Sequence, residues 1–358
     1  MKSVDPAKIA LSIIEEDLGR IIAADLPWNS LKGCQFLISG AAGLIGAYLV
    51  RTLLLLNSEK KLNISIIGLV RNKQKAVAQF GENAARIVLE ERDICEPLDF
   101  KGPIDFIIHA ASQASPKFYG KDPVGTLLPN TAGTLRLLEL ASRKKVKGFL
   151  FLSSAEIYGD MQNSSGLISE GMLGGVDPVN ARSCYAESKR MGESMCVSWF
   201  HQYGVPAKIA RLFHSYGPGM KLDDGRVFAD FVANIARGEN IQMKSDGGAR
   251  RAFCYAADAV TALFTVLLKG KSGEAYNIGN PKAETTILEL ATLLVSLFPE
   301  RKLKVSRVAS KSDTDGYLQT KVDRACPDIA KIAELGWEPS LDLREGFSRT
   351  IRYYDEPN

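Results

Sequence analysis

The feature that most narrows the fold is a glycine-rich turn, GAAGLIG at residues 40–46, set between a short apolar run and a helix-length segment. The run CQFLIS (34–39) reads as a strand, and Leu44 to Leu56 reads as a helix. Gly40, Gly43 and Gly46 let the backbone turn tightly and approach a pyrophosphate, which would sit on the helix N-terminus against the free amides of Leu44, Ile45 and Gly46. A glycine triplet alone also describes an ordinary tight turn. The strand before it and the helix after it favour a dinucleotide cradle.

Further apolar runs follow at ISIIGLV (64–70), IVLEERDI (87–94), IDFIIHA (104–110), KGFLFLS (147–153) and AKIARLF (207–213). Most are separated by helix-length segments, and strands alternating with helices imply right-handed crossovers and a parallel sheet. Near-continuous apolar strands suit a sheet covered on both faces. The expected architecture is α/β, a Rossmann doubly wound parallel sheet with a smaller C-terminal substrate-binding lobe. The expected boundaries are a helical extension over residues 1–30 and a dinucleotide-binding domain over 31–213, with a returning segment near 255–280. The lobe would then take 214–254 and 281–358. Ile9, Ile13, Ile14, Leu18 and Ile21 give the extension an amphipathic helix, which Leu26-Pro27-Trp28 breaks.

Bulk properties exclude several functions. A net charge of +4 over 358 residues, with no basic block, does not suit a nucleic-acid binder. The N-terminus carries acids inside its apolar stretch, unlike a signal peptide, and the longest apolar run holds Arg51, so no membrane role is expected. Six scattered cysteines and three histidines offer no metal-ligand spacing; no metal and a cytoplasmic, reducing setting are expected.

The cofactor signals diverge at one point. After the second strand an acid usually reads the adenosine 2′-hydroxyl. Here Val70-Arg71 occupies that place. Arg71 either pairs with a 2′-phosphate, which would favour NADP(H) over NAD, or is a solvated loop arginine. Asp93, after the third run, either holds the adenine or caps a strand-end turn. His109-Ala110-Ala111 follows the fourth run, where small residues let the chain pass close to the cofactor.

SCYAESK places Tyr185 and Lys189 at i and i+4, on one helix face. The ammonium of Lys189 is expected to lower the phenol's pKa, so that Tyr185 exchanges a proton near neutral pH. Upstream, FLSSAEIYGD ends the fifth strand and supplies Ser153, Ser154 and Glu156.

With these motifs in order, the chain resembles extended short-chain dehydrogenases that modify nucleotide sugars, over roughly residues 33–350, and in most detail UDP-glucuronate decarboxylases. The likeness lies in ASQASPKFYGKDPVGTLLPNTAGTL (111–135), SSAEIYGD (153–160), DPVNARSCYAESKR (177–190) and RLFHSYGPGMKLDDGRVFADF (211–231). DGGARRAFCYAAD (246–258) and LGWEPSLDLREGF (335–347) also match. The resemblance implies Tyr185 as catalytic base, Lys189 on the nicotinamide ribose, Ser154 on the sugar O4 and Glu156 near C5 and C6. It places Arg251 on the diphosphate, Arg226-Val227 along the nucleoside, Ser115 and Tyr119 at the sugar pocket, and Arg182 close by. It also implies bound NAD, a UDP- or dTDP-linked sugar and a homodimer built from long helices near 125–142 and 185–203; sequence alone accepts a monomer equally.

Three departures shape the expected reaction. Ala155 stands where 4,6-dehydratases of the glucose type carry an aspartate that expels water. His214 stands where the family has asparagine, and Arg71 where it has an acid. Decarboxylation through transient C4 oxidation is the leading expectation. Rivals are an NAD(P)H-dependent reductase of a 4-keto-6-deoxysugar nucleotide, a 4-epimerase, an unusual dehydratase and, from another class, a non-catalytic dinucleotide sensor. Cys184 lacks a base and reads as packing, and Trp28 reads as a staple for the N-terminal helix.

Overall fold

The computed structural model describes residues 6–161, 166–243, 245–307 and 324–355. Residues 1–5 of the expected extension and 308–323 and 356–358 of the expected lobe lie outside the described residues.

Seven parallel strands form the central sheet. They are β1 (Gln35–Ser39), β2 (Ser65–Val70), β3 (Val88–Glu91), β4 (Phe106–His109), β5 (Gly148–Ser154), β6 (Ala207–Leu212) and a last strand, Ala275–Ile278. Their spatial order is Ala275–Ile278, β6, β5, β4, β1, β2, β3. The chain therefore runs outward from β1 in one direction, then returns and runs outward in the other. That reversal opens a crevice at the carboxyl ends of β1 and β4, the place where such sheets bind ligands. Ser39 and His109, the last residues of the two strands, lie side by side in register.

Helices cover both faces, and the inner strands are buried along nearly their whole length. The third strand stops at Glu91, short of the expected Ile94. There Arg92 N–H donates to Val70 O, and Asp93 closes a turn by accepting from Cys95 N–H at 2.9 Å.

Around the sheet lie α1 (Pro6–Ile22), α2 (Leu44–Lys60), α3 (Lys73–Phe80), α4 (Pro123–Asn130), α5 (Ala132–Lys144) and α6 (Cys184–Tyr203). The single long helix expected over 125–142 is thus two. Pro129 has no N–H to donate back along the helix, and the chain breaks at Thr131 (φ −110°, ψ −76°).

α1 buries Ile13, Ile14, Leu18 and Ile21. After it, the Trp28 indole donates to Ala24 O and packs edge-on against Phe264 at 5.2 Å. α1 also carries a buried acid: Asp17 accepts from Tyr48 of α2, from Tyr255 and from Arg349 of the C-terminal helix Leu343–Tyr353.

Beyond β6 the chain builds α7 (Val227–Ala236), then returns to the sheet through α8 (Ala256–Lys269) and the strand Ala275–Ile278. Short strands flank these: Arg250–Ala252 lies between Glu284–Thr286 and Arg324–Ala325.

Candidate active site

The glycine turn is shaped by close backbone approach. Gly40 has φ +69°, and a Cβ there would sit 2.8 Å from the backbone of Ala111 beyond β4. A Cβ on Gly46 would lie 2.1 Å from Gly40 O, so the turn can close only with glycine at that position. Gly43 caps α2 without a side-chain hydrogen bond, and no acid stands in the first turn. Helical geometry leaves the amides of Leu44, Ile45 and Gly46 without intrahelical partners, since the first such bond is Ala47 N–H to Gly43 O. An uncapped, acid-free N-terminus beside two side-chain-free approaches fits a pyrophosphate.

Beneath the crevice, a short chain of hydrogen bonds holds β1 and β4 together. His109 Nε2 lies 3.1 Å from Pro129 O, a carbonyl that the helix break leaves available, so Nε2 carries the proton. Ser39 Oγ then donates to His109 Nδ1 at 2.8 Å and accepts from Ala111 N–H at 3.2 Å. Full burial pushes the imidazole down to about 3, and Lys189 adds to this, so the ring is neutral. The network sets the path of Ala110 and Ala111 past Gly40.

At the end of β2, Arg71 is exposed. Asn72 caps α3 through Lys75 N–H, and Glu91 of β3 accepts from Lys73 N–H at 2.7 Å. Asp122, the N-cap of α4, sits below its ordinary pKa. Its hydrogen bond from Gln113 is the largest cause, followed by Gly125 N–H, with the Arg71 charge a smaller one.

The proton-handling groups meet at the carboxyl end of β5. Lys189 Nζ donates to Leu152 O at 2.6 Å and lies 5.8 Å from the Tyr185 ring centroid. Ser154 Oγ accepts from Glu156 N–H, turning the chain out of the strand. Burial pushes the Tyr185 phenol up to about 12; the Ser154 hydroxyl opposes this, Glu156 adds to it, and Arg226 and Ser112 oppose it. Burial likewise pulls the Lys189 amine down to about 7, with Glu193 the main opposing charge. In the chain by itself burial therefore keeps the Tyr185 proton on the phenol at neutral pH.

On the substrate side three planar groups are layered. The Tyr119 ring stacks on Tyr185 at 5.0 Å and 13°, and the Arg182 guanidinium lies 4.6 Å from the Tyr119 centroid. Arg182 also grips Glu156 with both terminal nitrogens, at 2.9 and 3.3 Å. Tyr119 is fixed by its own hydroxyl, which donates to Ala114 O at 3.0 Å.

The loop before α7 is tied to the segment that carries Tyr119. Ser115 Oγ donates to Asp224 O, Lys117 meets Asp223 at 3.1 Å, and Arg226 is held on Asp224 with its guanidinium 5.1 Å from the Phe228 ring. Val227 follows as the first residue of α7. His214 faces Arg226 and Arg251, and burial followed by those two charges pushes its imidazole down to about 3. Its Nδ1 is buried without a hydrogen-bond partner in the chain. Arg251 lies buried on the strand Arg250–Ala252, one guanidinium nitrogen on Arg250 O.

Ser154, Glu156, Tyr119, Arg182, Tyr185, Lys189 and Arg226 therefore converge. Arg71, after β2, and Asp93, in the turn after β3, are not among these groups; the Arg71 charge acts on Asp122 instead. Residues that sequence reasoning passed over include Ser39, which needs the β1–β4 register to be seen, and Glu193, which the i, i+4, i+8 spacing from Tyr185 could have revealed. Among the described residues no three His, Cys, Asp or Glu side chains gather at a metal site, and no helix is long and apolar enough to cross a membrane.

This geometry has close parallels among known proteins. UDP-glucuronic acid decarboxylase 3 of Arabidopsis thaliana is 38% identical over 329 residues, covering 89% of this chain and 90% of that protein. UDP-glucuronic acid decarboxylase 1 of Danio rerio is 35% identical over 323 residues, covering 89% and 72%. Among solved structures, DesIV, the dTDP-glucose 4,6-dehydratase of Streptomyces venezuelae with NAD bound, superposes with a TM-score of 0.75 at 26% identity, covering 89% and 96%. UDP-glucose 4-epimerase of Thermotoga maritima gives 0.73 at 25%, covering 89% and 98%. The NAD dependent epimerase/dehydratase family model matches residues 36–279, and the chain belongs to that family.

Proposed function

We propose that the protein is an NAD-dependent nucleotide-sugar enzyme that decarboxylates a UDP-linked uronic acid, converting UDP-glucuronate to a UDP-pentose and carbon dioxide. The observation that carries this reading is the Arg182–Glu156 pair beside the Tyr119–Tyr185 stack. It sets a guanidinium, a ligand suited to a carboxylate, one ring away from the base. Similarity to decarboxylases over nine-tenths of the chain supports the same substrate.

In this scheme the sheet domain, residues 31–213 with the returning segment near 255–280, holds the dinucleotide, and the remaining C-terminal residues hold the sugar nucleotide. When bound, NAD supplies the hydride acceptor for C4, a positive charge that favours the Tyr185 phenolate, and the hydride donor that ends the turnover. Tyr185 takes the 4-hydroxyl proton while Ser154 holds O4 and Lys189 holds the ribose. The 4-ketone makes the C6 carboxylate a β-keto acid, whose C5–C6 bond breaks to release carbon dioxide and leave an enolate. C5 then takes a proton, and Tyr185 returns one to O4 as the ketone is reduced. Glu156 and Arg182 line the C5–C6 side, while Arg226, Val227, Arg251 and His214 border the nucleotide.

Incubation with UDP-glucuronate should yield UDP-pentose and carbon dioxide in equal amounts. A protein that holds NAD and gives neither product refutes the reading. Arg71 favours a second cofactor: its exposed cation at the end of β2 suits a 2′-phosphate, and tighter binding of NADP than NAD would establish that choice. We also assign a homodimer with a cytoplasmic setting. Val124, Leu127, Leu128, Met191, Phe200 and Tyr203 leave an apolar surface on the packed pair α4 and α6, which suits a second copy, and all six cysteines are free thiols. Sedimentation at the monomer mass would remove the dimer.

A further inference from the structure

Behind the site lies a buried ion pair that the scheme above does not use. Tyr185, Lys189 and Glu193 fall at i, i+4 and i+8 on α6, a single row facing β5 and β6. Ser153 and Arg211 are directly opposed in the β5–β6 register, and both side chains reach Glu193. Ser153 Oγ donates to Glu193 Oε1 at 2.5 Å, and Arg211 reaches the same carboxylate through Nε at 3.0 Å and a terminal nitrogen at 2.7 Å. The next residue back along β5, Leu152, supplies the carbonyl that holds Lys189. One carboxylate is therefore tied to the strand that carries both Leu152 O and Ser154.

We propose that Glu193 is a positioning residue for proton transfer: from one turn behind Lys189 it keeps that amine charged and fixes the strand end on which the amine rests. Burying an ammonium favours its neutral form, and the remedy is an opposite charge nearby. The other groups around Lys189 do not supply one. On α6, Tyr185 and the Cys196 thiol are both raised by burial and stay neutral. On β4 His109 is neutral, and from β5 come only the Phe151 ring at 4.9 Å and the Leu152 carbonyl. From α4, Asn130 bonds to Ser188 and carries no charge. Glu156 and Arg226 act on the far side of Tyr185. Arg211, from β6, is engaged with Glu193, with Tyr158 Oη and with Glu170 O. Glu193 is the acid left to hold the proton.

The test reads the amine directly, so it stands whether or not the sugar reaction is as proposed. Protein labelled with 13C at lysine Cε is titrated by NMR without cofactor, and the Lys189 signal is assigned by its loss in Lys189→Met. In Glu193→Gln, whose amide keeps the shape, the Lys189 midpoint should fall by about one pH unit, roughly a tenfold weaker hold on the proton. Should that variant fail to fold because Arg211 is left buried and unpaired, Glu193→Leu combined with Arg211→Met replaces the pair with apolar groups; because it also removes a cation that opposes the Lys189 charge, its midpoint should fall in the same direction but by less. Ser153→Ala, which keeps the carboxylate charge, should not lower the midpoint. A midpoint unmoved in the folded charge-removing variant overturns the proposal.

Discussion

Arg182 holds Glu156 through two hydrogen bonds while its guanidinium lies 4.6 Å from the centroid of Tyr119, the ring that stacks on Tyr185. One cation thus touches an acid and an aromatic platform at once. A substrate carboxylate entering here would compete with Glu156 for the same fork of donors. Arg182→Ala removes both contacts and should cut kcat/KM for UDP-glucuronate by roughly 10- to 100-fold, as expected for loss of a charge-assisted hydrogen bond. Arg182→Lys retains the charge without the fork and should recover only part of it. Steady-state kinetics with near-normal values for Arg182→Ala would remove the residue from substrate binding.

Tyr185→Phe keeps the stack on Tyr119 and removes only the hydroxyl. Every scheme that moves a hydride at C4 needs that proton, so the rate should drop by roughly 10²- to 10⁴-fold. Single-turnover measurement of reduced cofactor in NAD-loaded protein reads this step. An unchanged rate would assign the proton to another group.

Gly46→Ala places a Cβ 2.1 Å from Gly40 O, with backbone rather than a flexible side chain as the obstacle. The turn must open, which should lower stability by about 1–3 kcal/mol and weaken dinucleotide binding together. Gly43→Ala is the control for stability alone, since its Cβ would stand 3.2 Å from the same oxygen and needs only a slight shift. Thermal denaturation should show Gly46→Ala the less stable of the two, and dinucleotide titration of Gly46→Ala should show the weakened binding.

The elements that sequence showed clearly were those whose neighbours are local. The apolar runs gave six sheet strands, and the glycines, Tyr185 and Lys189 announced themselves by spacing. Pro129 was visible too, yet its effect was not read: it divides one expected helix and presents its carbonyl to His109. Ser39, Asp224 and Arg211 were illegible because their roles arise from contacts 70, 109 and 18 residues away. The effect of burial on the Tyr185 phenol was not legible for a related reason. Helical spacing reported the Lys189 charge, but burial, the larger influence on Tyr185, is a property of the packed whole.

Asp17 joins parts of the chain that are distant in sequence. It lies on α1, wholly buried, and accepts from Tyr48 at 2.7 Å, Tyr255 at 2.8 Å and Arg349 at 2.9 Å. Burial raises its pKa and outweighs those hydrogen bonds, so the folded chain holds the Asp17 proton more tightly than the unfolded chain does. The contribution of this group to stability is therefore full below the ordinary carboxylate range and is lost as pH rises through the folded value. Asp17→Asn cannot ionise and has one fewer acceptor for three donors. It should be less stable than the parent by about 1–3 kcal/mol at acid pH, because a buried donor loses its partner. As pH rises toward neutrality that gap should narrow, since only the parent pays for a buried charge. Urea unfolding of both proteins across this range measures the gap, and a gap that widens with pH would mean that Arg349 and the two tyrosines outweigh burial after all.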